Sequence, residues 1–272
     1  MLRILTLMNT PFSIRTAFAI VILSLLSAFL AGGAVLGIGL SSPEASQKFY
    51  TIISFSIGQG FMLVPLVWFL TYKKKSLITS LRLHPVSFPT IGYTVLFAFG
   101  LIILSDELDR IIQMYIPAPD YIVNLKNTME PETIMGYLLL ILGIVFIAPI
   151  GEELLFRGFL QQFLEKYWKD VTKAILVTSL FFALIHMNPY WLIQIYLLGI
   201  MLGFLCWKTG SIVPSFLLHA MNNGISMLFL FSEFGQSDLY SWNGHVAPLI
   251  LVSGTTLIYL GFQGINSLSI RQ

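Results

Sequence analysis

The chain reads as an all-α, polytopic transmembrane helix bundle of about eight spans. Its 272 residues are 56% hydrophobic and only 10% charged, and the mean hydropathy is +0.83. Soluble domains carry about 25% charged residues, so this chain has too little polar side chain to clothe a water-facing surface. The third observation is repetition: apolar stretches near the ~20 residues that a helix needs to cross a bilayer core recur along the chain.

The first, Ala17–Leu40, is too long for a signal-peptide h-region and no small-residue cleavage site stands out after it, so it is assigned as a spanning helix. Tyr50–Tyr72 and Pro89–Leu104 follow, with almost no ionisable groups. A long outer segment, Ser105–Thr133, then holds Asp106, Glu107, Asp109, Asp120, Glu130 and Glu132. Pro117 and Pro119 argue against one continuous helix there. Ile134–Ile150, Ala174–Met187, Tyr190–Trp207, Ile212–Phe231 and Val246–Phe262 complete the set. Several are short, so their ends lie inside neighbouring polar segments. Tyr190, Trp191 and Trp242 suit the membrane interface.

Lysine and arginine set the expected orientation. With a cytoplasmic N-terminus, Arg3, Arg15, Lys73, Lys74, Lys75, Arg82, Arg157, Lys166, Lys169, Lys173, Lys208 and Arg271 fall inside, and only Lys48, Arg110 and Lys126 fall outside. Both termini are therefore expected in the cytoplasm, in a bacterial or archaeal plasma membrane. The net charge of +2 points to no nucleic-acid partner, leaving the bilayer and a membrane-associated peptide or protein as partners. The single cysteine, Cys206, lies in an apolar stretch and reads as a small buried hydrophobe. No CxxC, glycine-rich phosphate loop or internal repeat is present.

The polar residues divide the chain into an N-terminal region, 1–133, and a region 134–272 where ionisable groups enter the apolar segments. Such groups are costly in a membrane and point to function. Three clusters stand out: Gly151-Glu152-Glu153-Leu154-Leu155-Phe156-Arg157, then Phe182-Ala183-Leu184-Ile185-His186, then His219-Ala220-Met221-Asn222-Asn223. Glu153 and Arg157 are four apart, as are His219 and Asn223, so each pair shares a helix face. Phe182 lies one turn before His186 and can pack against its ring.

Depth decides whether the clusters meet. If the fourth and fifth spans form a hairpin with its tip near Lys169, Glu152 lies 17 residues before the tip and His186 17 after it. Equal distances give equal heights, and a one-residue error in the tip offsets them by only ~3 Å. His219, 9 residues past Gly210, lies roughly 14 Å along its helix. All three can thus share one level in the cytoplasmic half of the bilayer.

A carboxylate in a water-poor cavity can take a proton from water, a neighbouring imidazole can orient that water, and a second His with an Asn can stabilise an oxyanion. Such a set suits peptide-bond hydrolysis without a covalent intermediate. Zinc is the competing use, because Glu152, His186 and His219 are acceptable ligands, but HExxH spacing is absent and no cysteine is close by. Each cluster also has a purely structural reading. Glu-Glu-x-x-x-Arg can be a solvated helix start, His186 an interfacial residue beside Met187-Asn188-Pro189, and Arg157 a counter-ion. His219 and Asn223 are harder to explain that way, since both need polar partners within an apolar span. His84 and His245 lie in loops and are assigned no role.

Together, Glu152-Glu153-x-x-x-Arg157, Phe182-x-x-x-His186 and His219-x-x-x-Asn223 resemble the motif set of the CPBP family. That family contains CAAX prenyl endopeptidases of the Ras-converting-enzyme type and bacterial Abi proteins linked to bacteriocin processing and immunity. The resemblance spans about Ile134–Phe231. It implies an eight-helix intramembrane glutamic protease whose site opens to the cytoplasm, and no metal is assigned beyond the zinc alternative above. By position, Glu152 would activate water with His186, and His219 and Asn223 would form the oxyanion hole. Glu153 and Arg157 would support that geometry. The substrate would be a membrane-associated peptide, prenylated and CAAX-like or bacteriocin- or pheromone-like. Two other classes remain open: a non-enzymatic immunity or scaffold protein of the same architecture, and a proton-coupled transporter.

Overall fold

A computed structural model describes residues 12–268; Arg3 and Arg271, which entered the charge balance, lie outside them. Eight long helices account for most of the described chain: α1 (Ile14–Leu40), α2 (Glu44–Tyr72), α3 (Phe88–Tyr115), α4 (Ile134–Trp168), α5 (Val171–Ile185), α6 (Leu192–Thr209), α7 (Ile212–Phe231) and α8 (Pro248–Ser267). Seven are long and apolar enough to cross a membrane. The exception, α5, has 15 residues and spans about 22 Å, short of a ~30 Å hydrocarbon core. The only sheet among the described residues is a two-stranded hairpin, β1 (Ser241–Trp242) and β2 (His245–Val246). The all-α polytopic bundle expected from composition is the observed architecture.

Leu23, Leu30, Trp68, Leu249 and Val252, among many other large apolar side chains, lie on the outer surface, more than half exposed. In water such a surface would be unstable; in a bilayer it is the solvated one. Small residues let the helices approach closely, as expected where helix association is not driven by water. Between α3 and α8, a Cβ on Gly100 would stand 2.4 Å from the Gly254 carbonyl oxygen, and one on Gly261 2.6 Å from the Phe97 nitrogen.

Two helices run further than the apolar pattern indicates. α3 continues past Leu104 to Tyr115, because Asp106 and Arg110 pair across one turn at 2.8 Å and neutralise each other. It then stops before Pro117, with two short helices, Asp120–Val123 and Leu125–Met129, in the rest of the segment. α4 does not end at Ile150 but passes through the Glu152–Arg157 motif to Trp168. Within it lie two π-helical stretches, Leu142–Ile147 and Glu153–Gln161. Proline at 149 supplies a cause for the first, since its ring clashes with the carbonyl four residues before it and removes a donor. Wide turns of this kind often occur at functional sites.

Lys169, in the left-handed conformation with φ 54°, closes α4 as Asp170 caps the first turn of α5. The α4–α5 hairpin therefore turns where the residue count placed it. Its end is tied to the other loops of that face. Arg82 forms an ion pair with Glu165, and the Arg82 carbonyl accepts from the Ile212 amide. Gly158 lets the Leu81 backbone seat directly on α4, since a Cβ there would lie 2.7 Å from the Leu81 carbonyl oxygen. Backbone cannot yield as a side-chain tip can. Gly158→Ala is therefore expected to cost about 1–3 kcal/mol by overpacking, read as a lowered Tm in detergent; an unchanged Tm would refute this packing.

The opposite face is knitted separately. Trp191 Nε1 and Gln194 Nε2 donate to Asp109 Oδ1 at 3.2 and 2.7 Å. Tyr121 donates to Asn188 Oδ1 at 3.1 Å. Arg110 donates to the Gly235 carbonyl at 2.5 Å. His245 and the Val246 amide both bond the Glu107 carboxylate. The bundle thus has one end carrying Lys73–Lys75, Lys166, Lys169, Lys173 and Lys208, and another formed by segments 105–133, 186–191 and 232–247.

Candidate active site

Glu152, His186 and His219 meet inside the bundle. Glu152 is 7% exposed, and its Oε2 lies 3.9 Å from His186 Nε2 and 3.8 Å from His219 Nε2. The height argument made from the hairpin tip is met: three side chains from α4, the C-cap of α5 and α7 converge. Both separations exceed direct hydrogen-bond length, and Glu152 Oε2 has no partner. Polar groups spaced in this way suit a bridging water.

Each imidazole is oriented through its other nitrogen. His186 Nδ1 lies 2.7 Å from the Phe182 carbonyl oxygen, which has only lone pairs to offer, so Nδ1 carries the proton and donates. In the neutral ring, Nε2 is then an acceptor directed at Glu152. His219 Nδ1 lies 3.0 Å from Glu153 Oε1 and donates to that carboxylate, which again turns Nε2 toward Glu152.

Glu153 and Arg157 lie beneath this group. Both are 0% exposed, and Arg157 Nη1 donates to Glu153 Oε1 at 2.9 Å. Arg157 Nη2 donates to the Gly199 carbonyl on α6 at 3.3 Å. Phe182 is the packing hub: its ring sits 4.8 Å from that of His186 and 5.7 Å from that of His219. The Arg157 guanidinium stacks over its face at 4.0 Å, a geometry favoured by the ring quadrupole.

Asn223 makes its hydrogen bonds to the α4 backbone and to Asn222. Its Nδ2 donates to the Ile144 carbonyl at 3.0 Å, within the first π stretch, where the altered register frees carbonyls from their usual partners. It thereby ties α7 to α4 one turn beyond His219.

Gln59 on α2 is the site residue that sequence reasoning missed. Its Nε2 donates to Glu152 Oε1 at 3.3 Å, across 93 positions. Its only signal in the sequence is a carboxamide inside an apolar span. Gly151 makes the approach possible, since a Cβ there would meet the Gln59 carbonyl at 3.3 Å and Met62 at 2.9 Å. The site therefore draws on the N-terminal region as well.

As for a metal, no group of three or more His, Cys, Asp or Glu side chains among the described residues has the geometry to hold an ion. Glu152, His186 and His219, the set that composition allowed for zinc, are not arranged as one. Cys206 is fully buried and contacts Arg82 at 3.6 Å, away from Glu152.

The fold and site define an integral membrane protein with a buried carboxylate–bis-imidazole centre. Residues 134–225 match the family model described as type II CAAX prenyl endopeptidase Rce1-like. That segment holds all three motifs, so the resemblance drawn from them is borne out there. The chain is also similar to an uncharacterized 24.3 kDa protein of Escherichia coli, 29% identical over 118 residues, which cover 42% of this chain and 53% of the relative. This chain thus spans about half the length of the curated relative it matches. No solved structure matches it.

Proposed function

We propose that the protein is an intramembrane endopeptidase that hydrolyses a peptide bond by water activated at Glu152. The observation that carries this reading is the convergence of His186 Nε2 and His219 Nε2 on the unpartnered Glu152 Oε2, at 3.9 and 3.8 Å. A water held among them can give its proton to Glu152 as it attacks the carbonyl carbon. His186, with Nδ1–H held by the Phe182 carbonyl, accepts from the same water and aims it. As the carbonyl oxygen becomes negative, His219 supplies a donor. With its Nδ1 proton engaged by Glu153, the ring donates to the oxyanion through Nε2 when that nitrogen also carries a proton. Asn223 is the second donor, through the Nδ2 hydrogen that Ile144 leaves free. Collapse of the tetrahedral intermediate breaks the C–N bond, and Glu152 returns its proton to the departing amine.

Glu153 and Arg157 are positioning residues in this scheme: they hold His219 but do not reach the water. Gln59 is a third. By donating to Oε1 it leaves Oε2 facing the imidazoles. A hydrogen bond to a charged group contributes roughly 1.5–3 kcal/mol, so Gln59→Met is expected to lower kcat about tenfold or more. KM should stay near wild type while Tm falls modestly, because buried Glu152 Oε1 loses its donor; an unchanged kcat would remove Gln59 from the scheme.

The substrate class that goes with this reading is a membrane-associated peptide, CAAX-like or of the bacteriocin or pheromone kind. The test is cleavage of a membrane-peptide library by the wild type and by Glu152→Ala. Products formed by the wild type and lost in the variant support the proposal. Equal cleavage by both, or none by either, counts against it.

A further inference from the structure

The contacts that orient the His186 ring belong to its own helix end. Nδ1 bonds the Phe182 carbonyl and the ring packs on the Phe182 side chain, one turn back on α5. The place of the imidazole against Glu152 therefore follows the place of the last turn of α5. Apolar packing holds that turn weakly: Ala183 and Gly199 are buried, and no residue between them is. Solvent cannot take over that task. With its first turn at one membrane face, α5 ends about 8 Å short of the other side of a hydrocarbon core. The turn that follows His186 then lies at membrane depth, where polar backbone needs partners from the protein.

Those partners come from the N-terminal region. Met187 is left-handed, with φ 47°, and Asn188 Oδ1 accepts from the Tyr190 and Trp191 amides, which closes the turn. Tyr121 then donates to Asn188 at 3.1 Å, and Tyr190 reaches the Ile116 carbonyl at 3.5 Å. Asp109 on α3 makes the larger attachment. Its Oδ1 accepts from Trp191 Nε1 at 3.2 Å and from Gln194 Nε2 at 2.7 Å, while Gln113 steadies Oδ2 from its own helix at 2.6 Å. Trp191 is the N-cap of α6 without a side-chain capping bond, and the first turn of α6 holds no acidic residue. A carboxylate brought there from another helix complements the helix dipole. Hydrogen bonds to an ionised acceptor are also roughly twice as strong as neutral ones. The neighbouring carboxylates of α3 are engaged elsewhere, Asp106 by Arg110 and Glu107 by His245 and the Val246 amide.

We infer that Asp109 is a positioning residue for His186: by pinning the start of α6 and the turn before it, its carboxylate sets where the imidazole stands beside Glu152. The N-terminal region, which carries none of the three motifs, then orients Glu152 through Gln59 and His186 through Asp109. That this placement governs the rate rests on the hydrolase reading; the placement itself does not.

Magnetic resonance of histidine-labelled protein in detergent reads the placement without requiring activity. The chain has four histidines, and the His186 signal is the one lost in His186→Ala. Asp109→Ala is expected to move the His186 ring signals and to leave those of His84, in the loop that Ser211 bonds at the other end of the bundle. In peptide cleavage the same variant should lower kcat about 10–100-fold with KM near wild type, since a misplacement of ~1 Å can cost about 10². Asp109→Asn keeps an acceptor oxygen for Trp191 and Gln194, loses only the bond from Gln113, and is expected to restore most of the rate and the His186 signal. An Asp109→Ala with an unmoved His186 signal, or with wild-type kcat, overturns the inference, as does an Asp109→Asn as impaired as the alanine variant. If Asp109→Ala does not fold, Trp191→Phe removes one donor and keeps an aromatic ring. A smaller shift of the same signal then supports the inference, and an unmoved signal overturns it. A wild type that cleaves no peptide counts against the hydrolase reading alone, and the His186 signal then decides the positioning.

Discussion

Replacing His186 by alanine is expected to lower kcat/KM by about 10²–10⁴, the usual contribution of a positioned acid–base group, while leaving Tm nearly unchanged. The reason lies in its surroundings. His186 caps the end of α5 with 29% of its side chain exposed, and its bonds are one contact to its own helix carbonyl and one ring contact with Phe182. Little of the fold leans on it. His219 provides the contrast. It is 4% exposed between two carboxylates, so His219→Ala removes one of the two donors to Glu153 Oε1 along with the oxyanion donor. That variant is expected to lose both rate and stability. Kinetics on a peptide from the library, with thermal unfolding in detergent, separate the two. An active His186→Ala, or a His219→Ala of wild-type Tm, would contradict these assignments.

The second large effect is on stability. Arg157→Met preserves length and apolar packing but leaves Glu153 charged in a fully buried setting. Breaking a buried ion pair from one side costs about 3–5 kcal/mol. Arg157→Met also removes the bond to the Gly199 carbonyl and the stacking on Phe182. The double variant Glu153→Gln/Arg157→Met is expected to recover much of the loss, because no unpaired charge remains. Denaturant titration of the wild type, Glu153→Gln, Arg157→Met and the double variant gives the coupling directly. A single variant within about 1 kcal/mol of wild type, the scale of an exposed pair, would show that the pair is not buried as described.

Much of this was legible in the chain because membrane burial writes a strong signal. Long apolar stretches identify the helices, and the left-handed Lys169 sits where equal counts to Glu152 and His186 placed the turn. The meeting of those two side chains followed from rise per residue alone. The Glu153–Arg157 pair followed from helical spacing. What could not be read depends on contacts between distant segments. Arg82 and Glu165 pair across 83 positions, and Gln59 reaches Glu152 from a helix with no motif. The continuation of α4 through its charged stretch was also hidden. A helix can carry two glutamates and an arginine through a bundle only when they pair and their remaining polar atoms are hydrogen-bonded, and the partners from other helices are His219, Gly199 and Gln59. The π stretches have Pro149 as a partial sign, but proline alone indicates a kink and not its register.

The central claim is that water, activated at Glu152, attacks the peptide directly. It is tested most directly by cleaving a library-derived peptide in ¹⁸O-water with hydroxylamine present, with intact-mass spectrometry of the quenched protein. The account predicts a product carboxylate carrying one ¹⁸O, no peptide hydroxamate, and no acyl adduct on the protein. A hydroxamate product or a protein mass increased by the acyl fragment would mean that a side chain, not water, is the nucleophile.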